Sequence, residues 1–210
     1  MSQNTTHAVM AQRREPKDSL DFFPTPPWAT RALFEHVLHT KNAYDVWEPA
    51  CGDGAMSRAI AGYASLVFSS DVTDYGWGHT VHDFLMPYVP HGIECPNWIV
   101  TNPPFRLGED FVHRALSIAQ VGVAILVRSV FIESVGRYEN LFRPRPPAIM
   151  AQFVERVPMV KGRLDETAST ATSYCWLVWL TWPSLAEPTK LVWVPPCRKR
   201  LERPGDYEVT

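Results

Sequence analysis

Paired cysteines, a dominant charge and long apolar runs are all missing from this chain. Its four cysteines, Cys51, Cys95, Cys175 and Cys197, stand far apart with no C-x-x-C pair, which argues against a zinc ribbon and against a disulfide-dense secreted scaffold. A reducing cytoplasm is the expected setting, and no metal site is expected. Twenty Lys and Arg against 22 Asp and Glu give a formal net charge of −2, so the chain lacks the uniform basic field of a purely electrostatic nucleic-acid binder. The longest apolar stretch, Val121 to Val127, stops at Arg128, and the opening residues hold no apolar core of signal-peptide length. No membrane-spanning segment is expected. What is present is 210 residues, 46% of them hydrophobic and 20% charged, the profile of one globular domain that buries its own core.

Residues 1–20 are polar and aperiodic and read as a flexible arm. Residues 21–195 read as a single domain and 196–210 as a C-terminal tail. In Phe22-Phe23-Pro24-Thr25-Pro26-Pro27, Thr25 is placed to cap a helix with prolines in its first turn, running to about His39. Ala29, Ala32, Leu33, His36 and Val37 recur at helical spacing as its inner face. Strands are predicted at Tyr44 to Glu48, Leu66 to Asp71, Trp98 to Thr101 and Val123 to Val127. Helices are predicted between them, at about Ala55 to Tyr63 and Gly108 to Gln120. Strands alternating with helices predict a parallel, three-layer α/β sheet. The apolar runs at Ile149 to Val154 and Tyr174 to Trp182 predict a late antiparallel pair.

Four stretches of the sequence carry chemistry. In Glu48-Pro49-Ala50-Cys51-Gly52-Asp53-Gly54 the small residues let the backbone turn tightly at a strand's carboxyl end, where a ligand can approach main-chain atoms. The turn lacks G-x-G-x-x-G and no Lys-Ser/Thr pair follows it, so a dinucleotide or P-loop reading is poor. Glu48 and Asp53 would repel a pyrophosphate and suit a cation; a purely structural turn is the plain alternative. Asp71, 17 residues past Gly54, ends the next strand, where a carboxylate can accept from both hydroxyls of a ribose. Asp83-Phe84 falls where a further strand end would face an adenine ring. In Asn102-Pro103-Pro104-Phe105 the prolines fix the direction of two acceptors, the Asn side-chain oxygen and the Pro103 carbonyl, beside a flat aromatic face. That describes a pocket for an exocyclic amino group on a heterocycle, with an Asn-Pro turn as the bland reading.

In their order, these motifs resemble the S-adenosylmethionine-dependent amino-methyltransferases, most closely the DNA adenine-N6 group of the gamma arrangement. The resemblance covers residues 21 to about 130 and more loosely the strand near Tyr174 to Trp182. It implies a Rossmann-like class I methyltransferase fold: a three-layer αβα sandwich around a mostly parallel seven-stranded sheet with a terminal antiparallel hairpin. It implies S-adenosylmethionine as cofactor and S-adenosylhomocysteine as product. Phe23, Pro24 and Thr25 would contact the methionine part and Glu48 its ammonium side. Ala50, Cys51, Gly52 and Gly54 would form the turn on which the cofactor lies, Asp71 would hold the ribose, and Asp83 with Phe84 the adenine. Asn102, Pro103, Pro104 and Phe105 would be the catalytic motif, receiving an adenine flipped out of DNA.

Gamma-type enzymes usually carry a separate target-recognition domain, and little of this chain remains for one after Arg128. DNA methylation with low or very short sequence specificity is therefore the expectation, by a monomer, a homodimer or a chain with a partner subunit. Methyl transfer to an RNA base or a protein glutamine, and an inactive methyltransferase-fold binding subunit, are the alternatives. A second aromatic wall for the base is expected near Val157-Pro158-Met159, where the chain offers Met159; Phe153, Tyr174 and Trp176 are the substitutes. Residues 1–127 carry 8 basic and 13 acidic groups, and 128–163 carry 7 and 3. Arg137, Arg143, Arg145, Arg156 and Arg163 thus read either as a phosphate-facing rim or as an ordinary solvated face.

Overall fold

Apolar runs four to seven residues long set the middle of the molecule. In the computed structural model, which describes residues 21–41, 44–182 and 188–208, they form β1 (Asp45–Glu48), β2 (Leu66–Asp71), β4 (Trp98–Thr101), β5 (Gly122–Arg128), β6 (Ile149–Phe153) and β7 (Tyr174–Leu180). Two further strands, β3 (Thr80–Val81) and β8 (Lys190–Val194), complete one eight-stranded sheet in the order β3-β2-β1-β4-β5-β7-β6-β8. The expected count was seven; β8 is the addition, pairing parallel with β6 at the sheet's edge. From β3 to β5 all neighbours are parallel, and β7 enters antiparallel between β5 and β6. This is the late antiparallel pair that the sequence predicted.

Every residue of β4, and all of β5 but Arg128, is buried, because helices cover both sheet faces and a parallel strand has no wet side. Alternate β5 residues feed two cores. Ala124 and Leu126 join Trp28, Leu33 and Ile60 beneath α1 (Pro27–Leu33) and α2 (Ala55–Ile60), while Val123, Ile125 and Val127 join Phe111, Val112 and Ala115 of α3 (Gly108–Ile118). A short α4 (Val135–Arg137) leads into a π-turn at Tyr138–Phe142.

Two expectations are corrected here. Thr25 does not cap α1: Pro26 is the N-cap, Pro27 the first helical residue, and Ala29 N–H donates to the Pro26 carbonyl at 2.9 Å. The Thr25 hydroxyl is thereby released to face elsewhere. The helix changes to a π-turn at Phe34–Leu38, ended by His39 in the left-handed region, and His36 on that turn is half-buried and contacts Arg200. Nor do the described residues after 196 trail away as a tail. They form α5 (Arg198–Leu201), and Arg31 of α1 donates to the Leu201 carbonyl and, bidentately at 2.7 Å, to the Asp206 carboxylate. Residues 1–20, read above as an arm, lie outside the described residues.

Candidate cofactor cleft and catalytic loop

The strand order reverses between β1 and β4: the chain runs outward from β1 through β2 to β3, then returns to the other side. A cleft opens at the carboxyl ends of the strands flanking such a switch point. Here those ends deliver Glu48, Asp71 and Asn102 to one cleft of ≈ 530 Å³, lined also by Asp21, Phe22, Phe23, Pro24, Thr25, Ala50, Cys51, Asp53, Tyr75 and Pro104. Its charged lining is uniform. The acidic side chains Asp21, Glu48, Asp53 and Asp71 border it and, among the described residues, no Lys or Arg does, so it favours a cation over a pyrophosphate.

The glycine turn is shaped by aromatic side chains that the sequence reading did not single out. Gly52 has φ +51°, and a Cβ there would lie 2.3 Å from the Phe22 ring; Gly54, at φ +82°, would meet Trp77 at 2.8 Å. Only glycine accepts both the conformation and the approach. Trp77 Nε1 donates to the Gly52 carbonyl at 2.7 Å, and Tyr75 packs on Phe22 at 4.8 Å. The signal was present in Asp71-Val72-Thr73-Asp74-Tyr75-Gly76-Trp77, where two aromatics come soon after the strand's last carboxylate.

Asp71 Oδ2 accepts from Gly52 N–H at 2.9 Å and Oδ1 from Thr73 N–H at 3.0 Å. Each oxygen retains a further lone pair for a hydroxyl donor. Glu48 is 2% exposed and accepts from Ser57 Oγ at 2.5 Å; burial above all, opposed by the Ser57 bond and reinforced by Asp71, pushes its carboxyl up to about 8. Burial, then Glu48 and Asp71, push the Cys51 thiol far above the ordinary range, so Cys51 is wall and not nucleophile. Thr25 Oγ1 is buried in the cleft wall with no partner.

Asp83 and Phe84 are not brought to this cleft. Phe84 is 1% exposed in the α3-side core, 5.1 Å from Trp47 and 4.9 Å from Phe111, and Asp83 Oδ1 accepts from Leu85 N–H. The β1–β2 spacing was readable, but a two-residue β3 gave no period from which to place the residues after it. Val72 and Tyr75 line the cleft next to Asp71 instead.

Beyond β4 the loop Asn102-Pro103-Pro104-Phe105 divides two pockets. Asn102 Nδ2 donates to the Phe23 carbonyl at 2.9 Å and lies 3.8 Å from Met159 Sδ; its Oδ1 is buried and unpartnered. The carbonyl on one side fixes the amide's orientation, since an amide oxygen cannot donate. Asp21 Oδ2 accepts from Phe105 N–H at 2.6 Å, and the Phe22 carbonyl accepts from Gly162 N–H at 2.9 Å. Residues 21–25 are thus pinned between the β4 loop and the 159–162 segment. Pro103 and Phe105 line the second pocket, ≈ 520 Å³, with Gly108, Leu126, Val127, Arg128, Val130, Phe131 and Arg137. Its charge is opposite: two guanidiniums and, among the described residues, no carboxylate.

Neither Phe153, Tyr174 nor Trp176 supplies the second aromatic wall. Phe153 packs edge-on against Trp28, Trp176 is fully buried with Nε1 donating to the Ala29 carbonyl, and Tyr174 is 4% exposed. Of the expected arginine rim, Arg137 enters the second pocket, Arg143 pairs with Glu139, Arg156 donates to Ser173 Oγ, and Arg163 pairs with Asp165.

No protein-family model and no curated protein matches this sequence. Solved structures do match in shape. A protein described as an RNA methyltransferase, PH1948 of Pyrococcus horikoshii, is 14% identical with a TM-score of 0.59, over 80% of this chain and 91% of that one. The M protein of the type I restriction enzyme EcoKI is 11% identical with a TM-score of 0.56, over 80% of this chain and 46% of that one. The type I restriction-modification methyltransferase subunit of Streptococcus thermophilus is 9% identical with a TM-score of 0.51, over 90% and 50%. The chain thus spans about half the length of the restriction subunits. At these identities the likeness establishes the fold, the Rossmann-like class I methyltransferase fold.

Proposed function

We propose that this chain transfers a methyl group from S-adenosylmethionine to the exocyclic N6 of adenine in DNA, at sites of low or very short sequence specificity. The observation that carries the reading is Asn102 Oδ1: a buried acceptor without a donor, held in orientation by the Phe23 carbonyl, on the loop between an acidic cleft and a basic pocket. A buried polar atom left alone costs about 1–3 kcal/mol, so its retention beside two pockets points to a donor supplied by a ligand. The residues of the first cleft fit the cofactor. They offer carboxylates for its two positive charges, a glycine turn for close approach, Asp71 lone pairs for ribose hydroxyls and the Thr25 hydroxyl for the methionine part.

When bound, S-adenosylmethionine supplies an electrophilic methyl on sulfur. Asn102 Oδ1 and the Pro103 carbonyl accept the two N–H groups of the target amine. Their pull localises the lone pair that adenine otherwise delocalises into its ring, and positioning does most of what remains. Phe105 provides the stacking surface for the base. Acidic side chains around one pocket and two guanidiniums around the other sort a cationic cofactor from an anionic substrate. The described residues after Arg128 complete the sheet and its connections, and supply no separate module for reading sequence. Among the structural neighbours, the EcoKI M protein and the Streptococcus subunit belong to restriction-modification systems and PH1948 is described as an RNA methyltransferase, so a nucleic-acid substrate is the reading they support.

The test is incubation with cofactor labelled in its methyl group and a panel of DNA, RNA and protein, followed by nucleoside and amino-acid analysis. Label in N6-methyldeoxyadenosine is the expected result. Label confined to RNA or to protein glutamine would replace the substrate assignment.

A further inference from the structure

The second pocket poses a steric problem for the base it should receive. Arg128, the last residue of β5, places its guanidinium carbon 3.8 Å over the centre of the Phe105 ring. Phe23 lies 5.2 Å from the same ring, tilted by 38°. A planar base needs a slot of about 3.4 Å against the face on which it stacks, and at 3.8 Å the guanidinium already fills that slot. The guanidinium is also incompletely satisfied: its Nε is buried without a partner. Arg137 repeats the arrangement across the pocket. Its guanidinium carbon lies 4.2 Å from the Phe131 ring centre, Nη1 donates to the Phe131 carbonyl, and Glu109 is 3.9 Å away. The pocket therefore presents two guanidiniums, that of Arg137 paired with Glu109, and two phenyl faces, with no carboxylate among its described lining residues, the complement of a unit with a planar apolar face and a negative charge.

Resting on the methyl-transfer reading, we propose that Arg128 is a substrate-positioning residue: it closes the stacking face of Phe105 until a planar base displaces it, then pairs with the phosphate of the nucleotide whose base took its place. Exchange of one stack for another keeps the Phe105 face covered in both states. The guanidinium leaves a site where its Nε has no acceptor and gains a phosphate, to which it can bind through two N–H groups. The same residue then discriminates between substrates. A nucleotide brings the anion that the displaced guanidinium needs, whereas a glutamine side chain brings none and leaves Arg128 displaced without a partner.

Arg128→Ala and Arg128→Lys test the idea, with binding read from a short oligonucleotide carrying 2-aminopurine, in the presence of S-adenosylhomocysteine, as a function of salt. S-adenosylhomocysteine affinity within about twofold of wild type shows that each variant is folded. Arg128→Ala is expected to weaken the oligonucleotide roughly 10- to 100-fold and to lower the salt slope by about one phosphate contact. Arg128→Lys should restore the slope, because an ammonium also pairs with phosphate, while its affinity stays below wild type because it makes no bidentate bond. Unchanged affinity and slope in Arg128→Ala overturn the proposal even if wild type methylates DNA, and the methyl-transfer reading then stands. Oligonucleotide binding with the expected Arg128 dependence, but no methylation when S-adenosylmethionine is supplied, retains the role of Arg128 and sinks methyl transfer. No binding by wild type overturns both.

Discussion

Replacing Glu48 by Gln should make the empty protein more stable at high pH and uncouple cofactor binding from proton release. Glu48 is buried at the end of β1, and its carboxyl moves from 4.5 to about 8, chiefly through burial. The folded chain therefore holds a proton at neutral pH that the unfolded chain has released. With a raised folded-state value, the stability tied to this group is fully present below about 4.5 and is lost as pH rises through about 8. Between those limits the loss is on the order of 5 kcal/mol. The amide of Glu48→Gln would mimic the protonated acid and still accept from Ser57 Oγ. Urea unfolding of wild type and Glu48→Gln should nearly coincide at about pH 5, and at about pH 8.5 the variant should be more stable by several kcal/mol. A cation in the cleft favours the carboxylate, so wild type should release up to one proton on binding S-adenosylmethionine below about pH 8, read by calorimetry in buffers of different ionisation enthalpy. Glu48→Gln should release none. Parallel pH profiles for the two proteins would refute the argument, since Glu48 would then be ionised in the empty cleft.

Asp71→Ala should weaken S-adenosylhomocysteine by about 2–3 kcal/mol in calorimetry, through loss of charge-assisted bonds to the ribose and of the brace on Gly52. Nicotinamide dinucleotide should not compete for the same cleft. Phe105→Ala should cost about 1–3 kcal/mol of base stacking, seen as a raised KM for DNA with cofactor affinity intact. Asp206→Ala removes one half of a buried bidentate pair with Arg31, and should cost about 3–5 kcal/mol in denaturant unfolding. Methylation mapped on long random DNA should be scattered, and it should fall steeply between about 50 and 200 mM salt; four or more fixed bases around each site would contradict the proposed specificity.

Where burial alone decided an element, the sequence was enough. The four parallel strands β1, β2, β4 and β5 fall within a residue or two of their predicted ends, because each is an apolar run closed by a turn or a carboxylate. β8 was missed, and β3 was expected only as a strand end before Asp83 with no bounds, for the opposite reason. Two exposed residues, Thr80 and Val81, have no period, and β8 exposes Leu191 and Trp193 on an edge whose partner strand, β6, lies far upstream in the chain. Motif spacing brought Glu48, Asp71, Thr25 and Asn102 into one cleft correctly. It misplaced Phe84, whose bulk satisfies a core as readily as a ligand. It also missed Asp21, Phe22, Trp77 and Arg128, because each acts on a partner distant in sequence that no local pattern connects to it.

The central claim rests on Asn102, and one measurement addresses it directly. DNA incubated with S-adenosylmethionine and either wild type or Asn102→Ala is digested to nucleosides, N6-methyldeoxyadenosine is quantified by mass spectrometry, and S-adenosylhomocysteine affinity is measured on both proteins. N6-methyldeoxyadenosine is expected from wild type and none above background from Asn102→Ala, with cofactor affinities that agree within about twofold, since the amide is directed at the substrate amine. Near-normal product from Asn102→Ala would contradict this role.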